Sequence, residues 1–216
     1  ILGISWFFTA GAVLMSEFAP LVSGSFGARQ EVVSLFLVIF SVSIAIGSLA
    51  VNRLLKGEVS ARYVPASALG LAVGMIDLWL SASMFQIYTP DATISQFLAN
   101  PGAWRAILDV VLIAFSGGMF IVPLYAILQT HAEPEERSQV IAANNIINAA
   151  VTVCVVIVVT LMLNSGITVP GVIGALGFAT LTVALISIWL LPETLFKGVV
   201  RAALKLFYRV EVNGEE

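Results

Sequence analysis

The sequence predicts an all-α integral membrane protein with six transmembrane helices, and three observations lead there. Of 216 residues, 59% are hydrophobic and 11% charged, whereas a soluble domain is about 45–50% apolar and roughly 25% charged. Mean hydropathy is +1.02. The apolar residues are gathered into runs long enough to cross a bilayer, which takes about 20 residues of helix. The runs show no period-two alternation, so of the two backbone solutions that lipid allows, helices and closed barrels, they select helices.

Taken in order, runs bounded by charge, Pro or Gly give spans at about 1–22, 32–51, 64–87, 104–129, 140–163 and 169–191, together a predicted domain 1–191. Each is long enough to span with some tilt. The connection from Tyr88 to Ala103 holds Pro90, Asp91, Asn100 and Pro101 around Ile94, Phe97 and Leu98, and reads as an interfacial half-helix. Beyond Pro192, Lys197, Arg201 and Lys205 recur every four residues opposite Leu195, Val199, Val200, Leu204 and Phe207. That pattern predicts a basic amphipathic helix over 192–209, lying on the membrane with its cations toward anionic headgroups. Tyr208 to Val212 alternates polar and apolar residues, so 210–216 is expected to begin a soluble domain. The apolar start at Ile1, without Met, fits a chain cut from a longer polypeptide.

Orientation follows from Lys and Arg in the short connections, which are in excess on the cytoplasmic side. One side holds Arg53, Lys56, Arg62, Arg137, Lys197, Arg201, Lys205 and Arg209; the other holds Arg29 and Arg105. Eight against two predicts both ends in the cytoplasm, a multi-pass protein of the plasma membrane. A net charge of −3 and a pI near 5.2 argue against nucleic acid as a partner, because phosphate binding needs a clustered basic surface. The single Cys154 excludes an intrachain disulfide and a cysteine metal cluster. Met15, Met75, Met84, Met119 and Met162 share no spacing, and no phosphate loop, metal cluster or nucleophile triad is present, which disfavours a primary pump and leaves no cofactor to expect.

Ionisable side chains inside a membrane are costly and are therefore functional candidates. Glu17, Asp77 and Asp109 qualify. At about 1.5 Å per residue, Glu17 lies about 24 Å and Asp77 about 20 Å from the inner ends of their spans, and Asp109 about 8 Å below the outer end of its own. All three are expected in the outer half, as a vestibule for a coupling ion (sodium or proton) or an ammonium headgroup, or else as partners of neighbouring helices; Asp77 is the deepest. Asn144 and Asn148 share a face through i,i+4 spacing and Asn145 flanks them. These amides could bind phosphodiester or glycerol oxygens, or bond neighbouring helices. Gly117, Gly118 and Pro123 weaken the fourth span near its centre, predicting a kink or a close helix approach. Tyr125 and Gln129, one turn apart, could line the path beyond it.

Six spans with both ends inside match one half of a major facilitator transporter, in which two six-helix halves surround a central substrate path. Residues 116–129, Ser-Gly-Gly-Met-Phe-Ile-Val-Pro-Leu-Tyr-Ala-Ile-Leu-Gln, and 137–148, Arg-Ser-Gln-Val-Ile-Ala-Ala-Asn-Asn-Ile-Ile-Asn, resemble the tenth and eleventh helices of bacterial lysophospholipid transporters. Ile1 to Trp6 resembles the seventh helix, and Leu206 to Gly214 resembles the junction into the glycerophospholipid acyltransferase fused to some members. The resemblance implies an inner-membrane location, a lysophospholipid substrate, membrane lipid around the chain, and a missing N-terminal six-helix half as partner. Gly47, Arg53 and Lys56 resemble the superfamily's inner-loop signature, with Asn52 displaced by one residue and standing for the usual acid. The acyltransferase signature pairs a histidine with an aspartate after four intervening residues. Here His131 and Glu136 stand in a short connection between spans, so no catalysis is expected within 1–216, and a membrane portion of an acyltransferase fusion, or a carrier of another small molecule, are the alternatives.

Overall fold

The computed structural model describes residues 1–190. Six helices there are long and apolar enough to cross a membrane. They are α1 (Leu2–Pro20, prolonged by a π-helical turn over Leu21–Ser25), α2 (Gln30–Leu55), α3 (Val64–Ser83), α5 (Pro101–His131), α6 (Arg137–Asn164) and α7 (Val169–Leu190), with a short α4 (Ile94–Ala99) between α3 and α5. By length and composition these helices make residues 1–190 an all-α, multi-pass membrane protein. The amphipathic helix predicted at 192–209, the strand start at 210–216 and residue 191 lie outside the described residues.

Local chemistry sets the boundaries. Helix α3 stops at Ser83 rather than near Ile87, because Gln86 leaves the helix and its carbonyl accepts the Asn100 amide at 2.9 Å. Helix α5 begins at Pro101 rather than Trp104: Pro occupies the first helical position, where no N–H is required, and the Asn100 side chain accepts the Gly102 N–H at 3.0 Å. The expected half-helix in this connection is α4, closed by a capping box of Thr93 and Gln96. Helix α2 ends on Lys56 in the left-handed region, φ 52°.

Packing is uneven. Helix α3 lies between α5 and α7, and α2 runs along α5. Gly47 stands so close to the Phe115 carbonyl, and Gly118 to the Ile44 carbonyl and the Ser48 N–H, that a Cβ at either position would collide. Gly70 and Gly74 bring α3 equally close to Ser116 and Ile113 of α5. Helix α6, by contrast, leans chiefly on α1, and 11% of its most apolar window is buried against 56% for α3 and 50% for α5.

The packing has an order. Exchange the first three spans (α1, α2, α3) with the last three (α5, α6, α7), and α2 on α5 becomes α6 on α1, α3 on α5 becomes α7 on α1, α1 on α2 becomes α5 on α6, and α3 on α7 maps onto itself. The packings of α2 and α3 on α5 are tighter than their counterparts on α1, and the slight contact of α6 with α7 has no counterpart of like extent between α2 and α3.

The two ends of the bundle also differ. At the end remote from Ile1, the α1–α2 turn and the α3–α5 connection are joined by backbone: the Arg29 N–H donates to Ala92 O at 3.0 Å and the Ala92 N–H to Gly27 O at 3.1 Å. Phe18, Phe26, Phe36, Phe85 and Phe97 cluster beneath this strap, with Phe26 and Phe85 centroids 4.8 Å apart. Gly27 has φ +59°, and Ile87 presses against it where a Cβ would sit. At the opposite end, Ile1, Ile4, Leu124, Leu128, His131 and Val140 border an open groove between the start of α1, the end of α5 and the start of α6.

Candidate functional sites within the bundle

Two polar clusters interrupt the apolar packing. The first joins α3 to α5. The antiparallel approach seen at Gly70 and Ser116 sets Asp77 level with Asp109, and Ser81 level with Arg105, and the bonds cross between the levels. The Arg105 guanidinium grips both oxygens of Asp77, Nε donating to Oδ2 at 3.1 Å and a terminal nitrogen to Oδ1. Ser81 donates to Asp109 Oδ2 at 2.9 Å. Of the two carboxyls, only Asp77 bonds the guanidinium. A bidentate grip of this kind is strong and directional, and it assigns the cation to Asp77 and a hydroxyl to Asp109.

The two acids are also placed differently. Asp77 and Arg105 are part-exposed, 37% and 46% for their side chains, while Asp109 is 5% exposed. The most enclosed acid of this cluster is therefore Asp109, not Asp77. The sequence ranked them by depth alone, with Asp77 deepest, and did not show enclosure, because Arg105 reads as a loop charge until Asn100 and Pro101 are recognised as the start of α5. The i,i+4 spacings of Asp77 with Ser81 and of Arg105 with Asp109 were the available signal.

The second cluster is a seam between α1 and α6. Ser5 donates to Asn148 Oδ1 at 2.7 Å, and the Thr9 and Thr152 hydroxyls meet at 3.0 Å. Both rungs are 143 residues apart in sequence, so the helices run parallel in one register. One turn further toward Ile1 stands Asn144, fully buried, with neither its Oδ1 nor its Nδ2 partnered. Buried polar groups are nearly always hydrogen-bonded, so an amide with two orphaned atoms calls for an explanation. A neighbouring contact ties α1 to α7: Trp6 Nε1 donates to Thr180 Oγ1 at 3.1 Å, and Thr180 donates to the Leu176 carbonyl at 2.8 Å.

The remaining sequence candidates fall as follows. Glu17 is buried on α1. Asn145 is exposed, on a different face of α6 from its two neighbours. Tyr125 sits edge-on to Phe8 across α5 and α1, 6.1 Å between centroids, and Gln129 is exposed near the end of α5. Gly117, Gly118 and Pro123 do not interrupt α5, which is continuous over 31 residues; the glycines serve close approach, Gly117 to Phe7 and Gly118 to α2. Gly47 does the same from α2, and Asn52, Arg53 and Lys56 lie exposed at its end. Ser5, Thr9, Ser81, Arg105 and Thr152 were not singled out by sequence. Among the described residues, no three His, Cys, Asp or Glu side chains stand together as a metal site would require.

Comparison with protein-family models, with curated proteins and with solved structures gives no match.

Proposed function

We propose that the chain is one six-helix half of a secondary transporter of major facilitator architecture, carrying lysophospholipid across a bacterial inner membrane by alternating access. The observation that carries this reading is the exchange relation in the packing. In that architecture each half consists of two inverted three-helix repeats, and an odd number of spans per repeat makes the second start on the opposite side from the first. A pairing pattern that maps onto itself when the two triplets are exchanged is what such a repeat produces. The bare surface of α6 suits a helix that meets the other six-helix half, and the Lys and Arg bias supports a cytoplasmic side for both termini.

The cargo rests on the resemblance of residues 116–129 and 137–148 to lysophospholipid transporters. Hydroxyls and amides along α1 and α6, in place of fixed charge, suit an amphiphile whose headgroup must enter and leave. The Asp77, Arg105 and Asp109 cluster lies in the half of the membrane remote from Ile1, where a coupling proton or sodium ion would act.

Reconstitution of the full-length protein in liposomes tests the reading, with labelled lysophosphatidylethanolamine outside and a sodium or pH gradient imposed separately. Uptake driven by one gradient and abolished when that gradient is collapsed is expected. No gradient-driven uptake by monodisperse protein would reject the cargo. The orientation has its own test: a cysteine at 164–168 should react with an impermeant reagent added outside the cell and one at 133–136 should not, and the reverse pattern would overturn the topology.

A further inference from the structure

We propose that α6 has two registers against α1, one helical turn apart, and that the orphaned Asn144 belongs to the second. The rungs now formed are Ser5 with Asn148 and Thr9 with Thr152. On each helix the rungs are four residues apart. A shift of α6 by four residues toward the strapped end, about 6 Å, therefore brings rung onto rung: Ser5 meets Asn144 and Thr9 meets Asn148. Both amides then have hydroxyl partners. Thr152 loses Thr9 but can donate to the carbonyl one turn back, as Thr130, Thr160 and Thr182 already do at 2.8, 2.8 and 3.1 Å.

Three features make the shift inexpensive. Helix α6 touches α5 and α7 only slightly, and its most apolar window is 11% buried, so few contacts must break. Its leading connection, residues 132–136, can reach about 17 Å when extended. Its trailing connection turns through Gly166 at φ +91°, with open space around that residue. Elsewhere the bundle cannot follow, because α1, α2 and α3 are tied at the strap. One-turn ratchets of this size are a known means of switching between two packed arrangements. The polar atom left without a partner in one register marks the other, so the seam is bistable.

The purpose assigned to this movement rests on the transporter reading, but its test does not. In the full-length protein with Cys154→Ala, cysteine pairs S5C/N148C and T9C/T152C report the present register, and S5C/N144C and T9C/N148C report the shifted one. Oxidation in native membranes is expected to cross-link both sets, with lysophosphatidylethanolamine increasing one set at the expense of the other. Cross-linking confined to the present-register pairs, with and without that lipid, would overturn the inference. A second variant guards against cysteine-induced distortion: N144L removes the shifted rung and buries an apolar side chain of similar size. It should raise the thermal midpoint and suppress the T9C/N148C cross-link while retaining that of S5C/N148C; a T9C/N148C cross-link undiminished by N144L would reject the second register. Absence of lysophospholipid transport by the unmutated protein would sink the cargo alone, leaving the cross-links to decide the registers.

Discussion

The joint between α3 and α5 and the seam between α1 and α6 are built from different materials. The joint uses Gly70 and Gly74 to bring two backbones together and closes with a bidentate ion pair. The seam uses one hydroxyl–amide rung and one hydroxyl–hydroxyl rung and leaves a second amide unbonded. Without a hydrophobic drive between helices in lipid, association depends on close packing and interhelical hydrogen bonds. A joint rich in both is expected to be fixed, and a seam with few rungs is free to change partners. The related packings also differ in tightness: α2 on α5 exceeds its counterpart α6 on α1.

The largest effect should come from the fixed side. Gly118→Val places methyl groups against the Ile44 carbonyl and the Ser48 N–H, atoms held by the α2 backbone. Overpacking costs about 1–3 kcal/mol or more, and where backbone must move the upper end applies. Loss of the monodisperse peak in detergent chromatography is expected, while Ala149→Val on the exposed side of α6 should leave that peak unchanged. A Gly118→Val protein as stable as the parent would remove the contrast between the two interfaces.

An intermediate effect is expected at the ion pair. Arg105→Ala strands Asp77 and should lower the thermal midpoint; adding Asp77→Asn should recover much of the loss, because breaking one partner of a pair costs more than removing both. Asp109→Asn keeps an acceptor for the Ser81 hydroxyl and should leave the midpoint unchanged, yet alter which gradient drives uptake. Asp77→Asn alone should do the reverse. Loss of coupling in Asp77→Asn with the midpoint preserved would return the coupling role to Asp77.

The smallest effect belongs to the seam. Ser5→Ala removes one rung, worth about 0.6 kcal/mol on average among membrane interhelical hydrogen bonds, and a small fall in the midpoint is expected. A fall as large as that of Arg105→Ala would mean that the seam is as fixed as the joint.

The six helices were legible because a membrane span is an unusually simple signal: length and apolarity suffice. The boundaries failed where polar chemistry outside the apolar run decides them, as Asn100 does for both the end of α3 and the start of α5. Asp77, Asp109, Asn144 and Asn148 were singled out as candidates because polar residues inside apolar runs stand out. Their partners were not, because Ser5 is 143 residues from Asn148 and Arg105 is 28 from Asp77, and hydroxyl residues in a membrane helix are too ordinary to mark a contact. The glycines of α5 carried a true signal of close approach, but composition could not separate that from a kink.

The strap at the end remote from Ile1 bears on how the chain is made. Gly27, Arg29 and Ala92 can share backbone hydrogen bonds only if the turn after the first span and the connection after the third emerge on the same side of the membrane. An early helix inserted backwards would leave those N–H and C=O groups unjoined and the phenylalanine faces bare. The bond therefore forms only after three helices have threaded in alternating directions, and the phenylalanine cluster beneath it closes with it.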